Sequence, residues 1–227
     1  MSRFHGFVIR NRDNWQKTIR DIELDHGTGY LYQQDGRTLG YILYTIEENN
    51  LSIKELTYLN PTAKDALLQL AFSHIGQVSR ILWKAPFNDT TYLSMKDSRG
   101  KLEKEAFVMA RVHNAAKALS GIPFCGASFV LKVTDPVFKC SNGCFQIFEE
   151  NGVSAVSITA EEPDIEINIR TLAQLLWGYL SIPIALAEGT LNINPTPDTK
   201  IKSMNEGPLI SLQTLFPPRE NFIADEY

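Results

Sequence analysis

Asp225, Glu226 and Tyr227 close the sequence with three negative charges in three residues, from two acidic side chains and the terminal α-carboxylate. An α-carboxylate has an unperturbed pKa of about 3.5. It serves as a base toward an amine only within hydrogen-bond reach of the proton, and burial beside other acids raises its pKa into a useful range. The same cluster attracts a polycationic amine, such as an aminoglycoside or a lysine-rich peptide, through charge-assisted hydrogen bonds. The competing reading is a solvated acidic tail, the usual state of a chain end. Phe222, Ile223 and Tyr227 supply apolar surface with which such a tail could dock.

Other reactive side chains are sparse. Cys140 and Cys144 bracket Ser-Asn-Gly, and a C-x-x-x-C pair could hold two ligands of a metal. No second pair or neighbouring histidine completes a four-ligand site, so a hairpin turn with incidental thiols is expected. With Cys125 the count is three, which argues against a disulfide framework. No G-x-S-x-G elbow surrounds any serine, and His26, His74 and His113 have no evident nucleophile to serve, so all three are expected to be structural. Trp177, Phe129, Phe138, Phe145 and Phe148 could line an apolar ligand cavity, but aromatics at strand alternation are more often ordinary core.

The elements that position these residues belong to a folding chain. Of the 227 residues, 44% are hydrophobic and 21% charged, the balance of a protein with a sizeable core. The length suits two domains of about 100 residues each. A net charge of −4 argues against nucleic acid as a partner. No run of 18 apolar residues is present and the first residues lack a signal-peptide core, so no membrane association and a cytoplasmic location are expected.

Asp13 or Asn14 can cap a helix over 10–22 that carries Trp15, Ile19 and Ile22 at helical spacing. Strand-like runs follow at 29–34, 39–47 and 51–59, separated by Gln-Asp-Gly-Arg and Glu-Glu-Asn-Asn turns, an antiparallel meander. Pro61 opens a helix with Leu67, Leu70, Ala71 and His74 or Ile75 on one face, closed by Gly76, before a short strand at 79–86. A polar stretch ending near Leu102 marks the domain junction. Beyond it, strands are expected at 106–112, 128–135, 144–149, 153–159 and 165–169. Asn114 caps a helix over 115–119, and further helices cover 171–179, stopped by Pro183, then 184–188 and 209–216, ended by Pro217 and Pro218. Arg3, Arg10 and Arg12 form a short basic patch that suits a linker.

The segments Phe107-Val108-Met109-Ala110-Arg111-Val112, Ser128-Phe129-Val130-Leu131-Lys132-Val133-Thr134-Asp135 and Ile169-Arg170-Thr171-Leu172-Ala173-Gln174-Leu175-Leu176-Trp177-Gly178 resemble the sterol-carrier-like domain that ends the enhanced intracellular survival (Eis) family of GNAT acetyltransferases. The closing Leu215-Phe216-Pro217-Pro218 and Asn221 to Tyr227 are similar too. Trp15, Gly40-Tyr41-Ile42-Leu43-Tyr44 and Lys54-Glu55-Leu56 followed by Pro61 look like that family's second GNAT domain. Each motif is loose, and their order makes the resemblance specific across nearly the whole chain.

The resemblance implies an α+β fold, with a GNAT-like mixed-sheet domain over 1–104 and a sterol-carrier-like domain over 105–227. It implies an amine or lysine-containing substrate and a homo-oligomer. It also implies roles for the tail: Tyr227 supplies its terminal carboxylate as general base, and Glu226, with Asp225 beside it, lines the substrate pocket. Family members hold acetyl coenzyme A on an additional N-terminal GNAT domain, through a basic, glycine-containing loop at a helix N-terminus, where unpaired amides and the helix dipole favour the pyrophosphate. No R/Q-x-x-G-x-G/A pattern follows a strand here, and Gly36 to Gly40 and Gly121 to Gly126 are assigned to turns. The chain is thus expected to hold no cofactor, acetyl coenzyme A being implied for a longer enzyme. A non-catalytic module for a lipid-like or sterol-like ligand and an oligomerisation scaffold are the alternatives.

Overall fold

The computed structural model describes residues 8–86, 89–94, 100–103, 109–194 and 208–221. They form two compact units, one made of described residues before position 99 and the other of those from 100 to 221. Each has its own mixed sheet and core, an α+β architecture throughout.

In the first unit, helix α1 (Arg12–Leu24) precedes strands β1 (Thr28–Gln34), β2 (Arg37–Glu47) and β3 (Asn50–Tyr58), then helix α2 (Pro61–Phe72) and strand β4 (Arg80–Trp83). The strands lie in the order β1-β2-β3-β4, antiparallel except for the parallel pair β3 and β4, which α2 connects. Both hairpins close through two residues with positive φ, Asp35 (50°) and Gly36 (73°), then Glu48 (47°) and Asn49 (64°), the turn geometry that matches strand twist.

Several local details differ from the sequence expectations. The cap of α1 is Asn11, whose side chain accepts the Asn14 N–H at 2.8 Å, so Asp13 instead sits in the first turn beside the positive end of the helix dipole. The inward stripe of α1 is Trp15, Thr18 and Ile22, all half-buried; Ile19 is 49% exposed. Helix α2 stops at Phe72, leaving His74 and Ile75 outside it, and buries Leu68 rather than Leu70.

The two faces of the first sheet carry different chemistry because of a bulge. Alternation from Leu51 and Ile53 would place Glu55 on their face, but the β2–β3 register slips after Leu43, where Glu55 is its partner, to Tyr44, which pairs with Ile53. Lys54 is the extra residue. Leu56 thereby joins Ile42, Tyr44, Leu51 and Ile53 beneath α2 in the core with Leu67, Leu68 and Ala71. Glu55 shares the opposite face with Tyr41, which meets Trp15 of α1 edge-on with ring centroids 5.5 Å apart.

The second unit contains helix α3 (Ala115–Leu119), strands β5 (Phe129–Thr134), β6 (Gly143–Glu150), β7 (Val153–Thr159) and β8 (Ile165–Asn168), helices α4 (Ile169–Leu176) and α5 (Ile182–Ala187), strand β9 (Leu191–Ile193) and helix α6 (Pro208–Leu215). The sheet order is β7-β6-β5-β8-β9, with β5 and β8 parallel. Asn114 caps α3 by accepting the Lys117 N–H, and Asn168 caps α4 by accepting the amides of Arg170 and Thr171. Helix α4 ends ahead of Gly178, whose φ of 69° breaks the helix, and Pro183 instead opens α5. The expected strand over 106–112 is not formed at residues 109–112, and residues 106–108 lie outside the described residues. Among the described residues, no helix is long and apolar enough to cross a membrane.

Candidate functional site

The tail positions proposed for catalysis and substrate binding, Asp225, Glu226 and Tyr227, lie outside the described residues. The site is therefore built from what the two units present.

The strand-to-helix junction from β3 into α2 is where the fold could offer backbone amides to a phosphate. Its first turn is occupied from within the chain. Pro61 has no N–H, and the Ala63 amide donates to Asn60 Oδ1 at 2.8 Å. The Lys64 amide makes the first intrahelical bond, to the Asn60 carbonyl at 3.2 Å. Two of the three amides preceding that bond are thus unavailable to an anion. The Lys64 ammonium pairs with Asp89 Oδ2 at 3.3 Å and lies 5.4 Å from the centre of the Tyr58 ring. Gly40 belongs to β2 rather than a turn, and a Cβ there would meet the Thr57 carbonyl oxygen at 2.7 Å. A Cβ at Gly126 would meet Ser211 Oγ at 2.8 Å and its Cβ at 3.0 Å. Both glycines are required by packing.

On the α1 face of the first sheet, a buried ionic group assembles. Arg10 donates through Nη1 to Glu55 Oε2 at 2.7 Å, each side chain 4% exposed. The Tyr41 hydroxyl donates to the other oxygen, Glu55 Oε1. The guanidinium carbon of Arg10 lies 4.8 Å from the centre of the Trp15 ring. Burial pushes the Tyr41 phenol well above its ordinary pKa, and the charge and hydrogen bond of Glu55 push it further, so Tyr41 stays neutral. The basic start of the chain is thus not a linker patch at Arg10, whose charge is neutralised inside the unit.

Among the described residues, apolar side chains pack where the layers of the second unit meet. Phe129, Leu131, Phe145, Ile147, Leu172, Leu175, Leu212 and Phe216 are each at most 2% exposed. Phe138, Phe148 and Trp177 are half-buried.

At the end of β5, the covered Asp135 carboxylate accepts Arg111 Nη2 at 2.9 and 3.2 Å and the Val137 amide at 2.8 Å. Burial alone would raise the Asp135 pKa, but the Val137 and Phe138 amides and the Arg111 charge outweigh it and hold the carboxyl below its ordinary range. A depressed carboxylate pKa gives stability that is present above the unfolded value and lost as pH falls through the folded one. We expect the second unit to lose stability in acid below about pH 4, and D135N to lack that component. An identical acid profile for D135N in circular dichroism titrations would refute it.

His74 and His113 have structural partners. His74 shares hydrogen bonds with the Tyr44 hydroxyl (3.0 Å) and Gln77 (3.1 Å), and His113 packs against Phe138. Cys140 sits in a 3₁₀ turn and Cys144 on β6, both as free thiols. No group of three metal-ligating side chains occurs among the described residues.

The two mixed-sheet units are similar to a GNAT acetyltransferase domain followed by a sterol carrier domain. Residues 6–112 match the acetyltransferase (GNAT) domain model, and residues 115–224 match the sterol carrier protein domain model. Among solved structures, a conserved protein from Enterococcus faecalis V583 superposes with a TM-score of 0.74 at 22% identity, over 98% of this chain and 55% of that one. A GCN5-related N-acetyltransferase from Anabaena variabilis ATCC 29413 gives 0.69 at 21%, over 99% and 56%. Eis1 from Mycobacterium abscessus gives 0.64 at 16%, over 96% and 55%. At these identities the likeness establishes the fold, which resembles the C-terminal portion of Eis-like acetyltransferases. The chain spans little more than half the length of these structures. No curated protein matches the sequence.

Proposed function

We propose that this chain is the substrate-binding and structural portion of an Eis-like amine N-acetyltransferase, with acetyl coenzyme A held by a further GNAT domain. The observation that carries this reading is the succession of a GNAT domain over 6–112 and a sterol carrier domain over 115–224, in a chain spanning about 55% of structures whose folds it matches over nearly its whole length. The first turn of α2 supports it, because Asn60 takes the Ala63 amide and Pro61 has none to offer a pyrophosphate.

In this reading the substrate is an amine, in a small molecule or a lysine side chain, and the enzyme is a homo-oligomer. Tyr227 supplies its terminal carboxylate as general base. Glu226 and Asp225 hold the cationic substrate by charge-assisted hydrogen bonds. A lipid-holding role for the sterol carrier domain has less support, since Phe129, Phe145 and Phe216 are ordinary buried core side chains.

Calorimetry on this chain is expected to give no low-micromolar binding of acetyl coenzyme A, and a clear isotherm in that range would place the donor site here instead. In an enzyme carrying the further domain, two or three residues added after Tyr227 are expected to cut kcat by about 10²-fold or more, the typical contribution of a positioned base. Unchanged turnover would remove the carboxylate from the reaction.

A further inference from the structure

The sequence holds two Asn-Gly pairs, Asn142–Gly143 where β6 begins and Asn151–Gly152 in the turn between β6 and β7. Such pairs deamidate readily, because glycine has no side chain to hinder attack of its nitrogen on the asparagine amide. At 142–143 the fold needs both members. The Asn142 side chain closes a reciprocal clamp on the Asp135 backbone, accepting its N–H at Oδ1 (2.6 Å) and donating through Nδ2 to its carbonyl. An amide offers an acceptor and a donor together, whereas a carboxylate has no hydrogen to give. Gly143 has φ of 147°, a conformation that favours glycine. The fold therefore demands a labile pair, and the same contacts restrain it. Ring closure needs the Gly143 nitrogen eclipsed with Asn142 Cβ, and a ψ of 132° at Asn142 holds it well away from that arrangement. Asn151 differs. It is exposed at a hairpin tip, its side chain makes no hydrogen bond among the described residues, and the Gly152 amide donates to the exposed Glu149 carboxylate at 2.6 Å.

We propose that Asn142 is a site of spontaneous deamidation, closed in the native protein by its clamp on Asp135 and opened when the second unit unfolds. In the reaction the Gly143 nitrogen bonds to Asn142 Cγ and the Cγ–Nδ2 bond breaks. The Gly143 amide proton leaves with the amine as ammonia. Water then opens the succinimide ring on either side, to aspartate or isoaspartate, with no change in oxidation state. Neither product restores the clamp. Aspartate sets a carboxylate against the Asp135 carbonyl in place of a donor. Isoaspartate lengthens the main chain by one carbon where Gly143 pairs with Val133. A chain that stays unfolded long enough to react thus returns altered at the end of β5, where Asp135 also holds Arg111.

Peptide mass spectrometry on the wild-type chain, held at mildly alkaline pH with and without denaturing urea, follows both pairs in one sample. Asn151 is the internal clock, since glycine follows it too. In urea the two asparagines are expected to convert at similar rates. In native buffer Asn142 is expected to lag Asn151 by roughly tenfold or more, because it waits for a local opening that the hairpin tip does not need. A ratio of the two rates that is the same in buffer and in urea would overturn the proposal. N142D, which carries the aspartate product from the start, is expected to lower the unfolding midpoint of the second unit by roughly 5 °C. A wild-type midpoint for N142D would overturn the claim that the product cannot restore the clamp. Failure of N142D to fold is the expected loss in stronger form, and the ratio of rates is read without any variant.

Discussion

E55L is expected to destabilise the first unit by about 3–5 kcal/mol, whereas the paired replacement R10M/E55L is expected to recover most of that loss. The asymmetry follows from where the charges sit. The Arg10 and Glu55 side chains are each 4% exposed, so removing the carboxylate takes its bond away from a guanidinium that water reaches poorly. It also deprives the Tyr41 hydroxyl of its acceptor. Removing both charges eliminates two desolvation penalties together and leaves an apolar pair of similar volume against Trp15. Urea unfolding of the two single variants and the double variant closes the cycle, and the coupling is expected to exceed 1 kcal/mol because the groups touch. Additive losses would mean that the pair is solvated in the folded state, contrary to its burial.

G178V is expected to destabilise the second unit by roughly 3 kcal/mol or more. Gly178 has φ of 69°, a conformation strained for a β-branched side chain, and a Cβ there would lie 2.7 Å from the backbone nitrogen, Cβ and Cγ of Arg219. The Arg219 amide donates to the Gly178 carbonyl at 3.1 Å, so the segment after α6 is fastened at this point. A side chain at 178 pushes that segment away. The expected result is lower stability together with increased proteolytic cleavage beyond residue 216. If the proposed role of the tail holds, an enzyme with the donor domain also loses turnover. Stability and cleavage equal to wild type would show that the crossing is not tight.

The elements most legible in the sequence were those with local causes. Gln-Asp-Gly-Arg and Glu-Glu-Asn-Asn predict two-residue hairpins because Asp, Asn and Gly tolerate positive φ, and both turns form. Asn114 announces α3 because its side chain can reach the Lys117 amide three residues on. What failed depended on distant partners or marginal patterns. The side of the sheet that Glu55 occupies is set by a one-residue bulge at Lys54, and alternation carries no sign of that slip. Arg10 looked like surface charge, since its burial is decided by Glu55 and Trp15 on other elements. Strand β9 is three residues long and pairs with β8 at the sheet edge, too short for any period to register. The helix after Pro61 looked longer because Leu70, His74 and Ile75 continue its spacing, but the chain turns off at Ser73.

The two sheets also differ in when they can be completed. In the first, β1, β2 and β3 are sequential neighbours joined through two-residue turns, so contacts form soon after the residues exist. In the second, β5 must wait for β8, with Val133 opposite Ile167, and the core gathers Ala115 and Leu119 with Leu212 and Phe216. Distant pairings close large loops before any gain arrives, and folding slows accordingly. During synthesis, which releases the N-terminal unit first, the GNAT unit is expected to be formed while the sterol carrier unit still lacks α6. Until that helix arrives, the apolar surface that Leu212 and Phe216 cover in the finished core is expected to stay open to water.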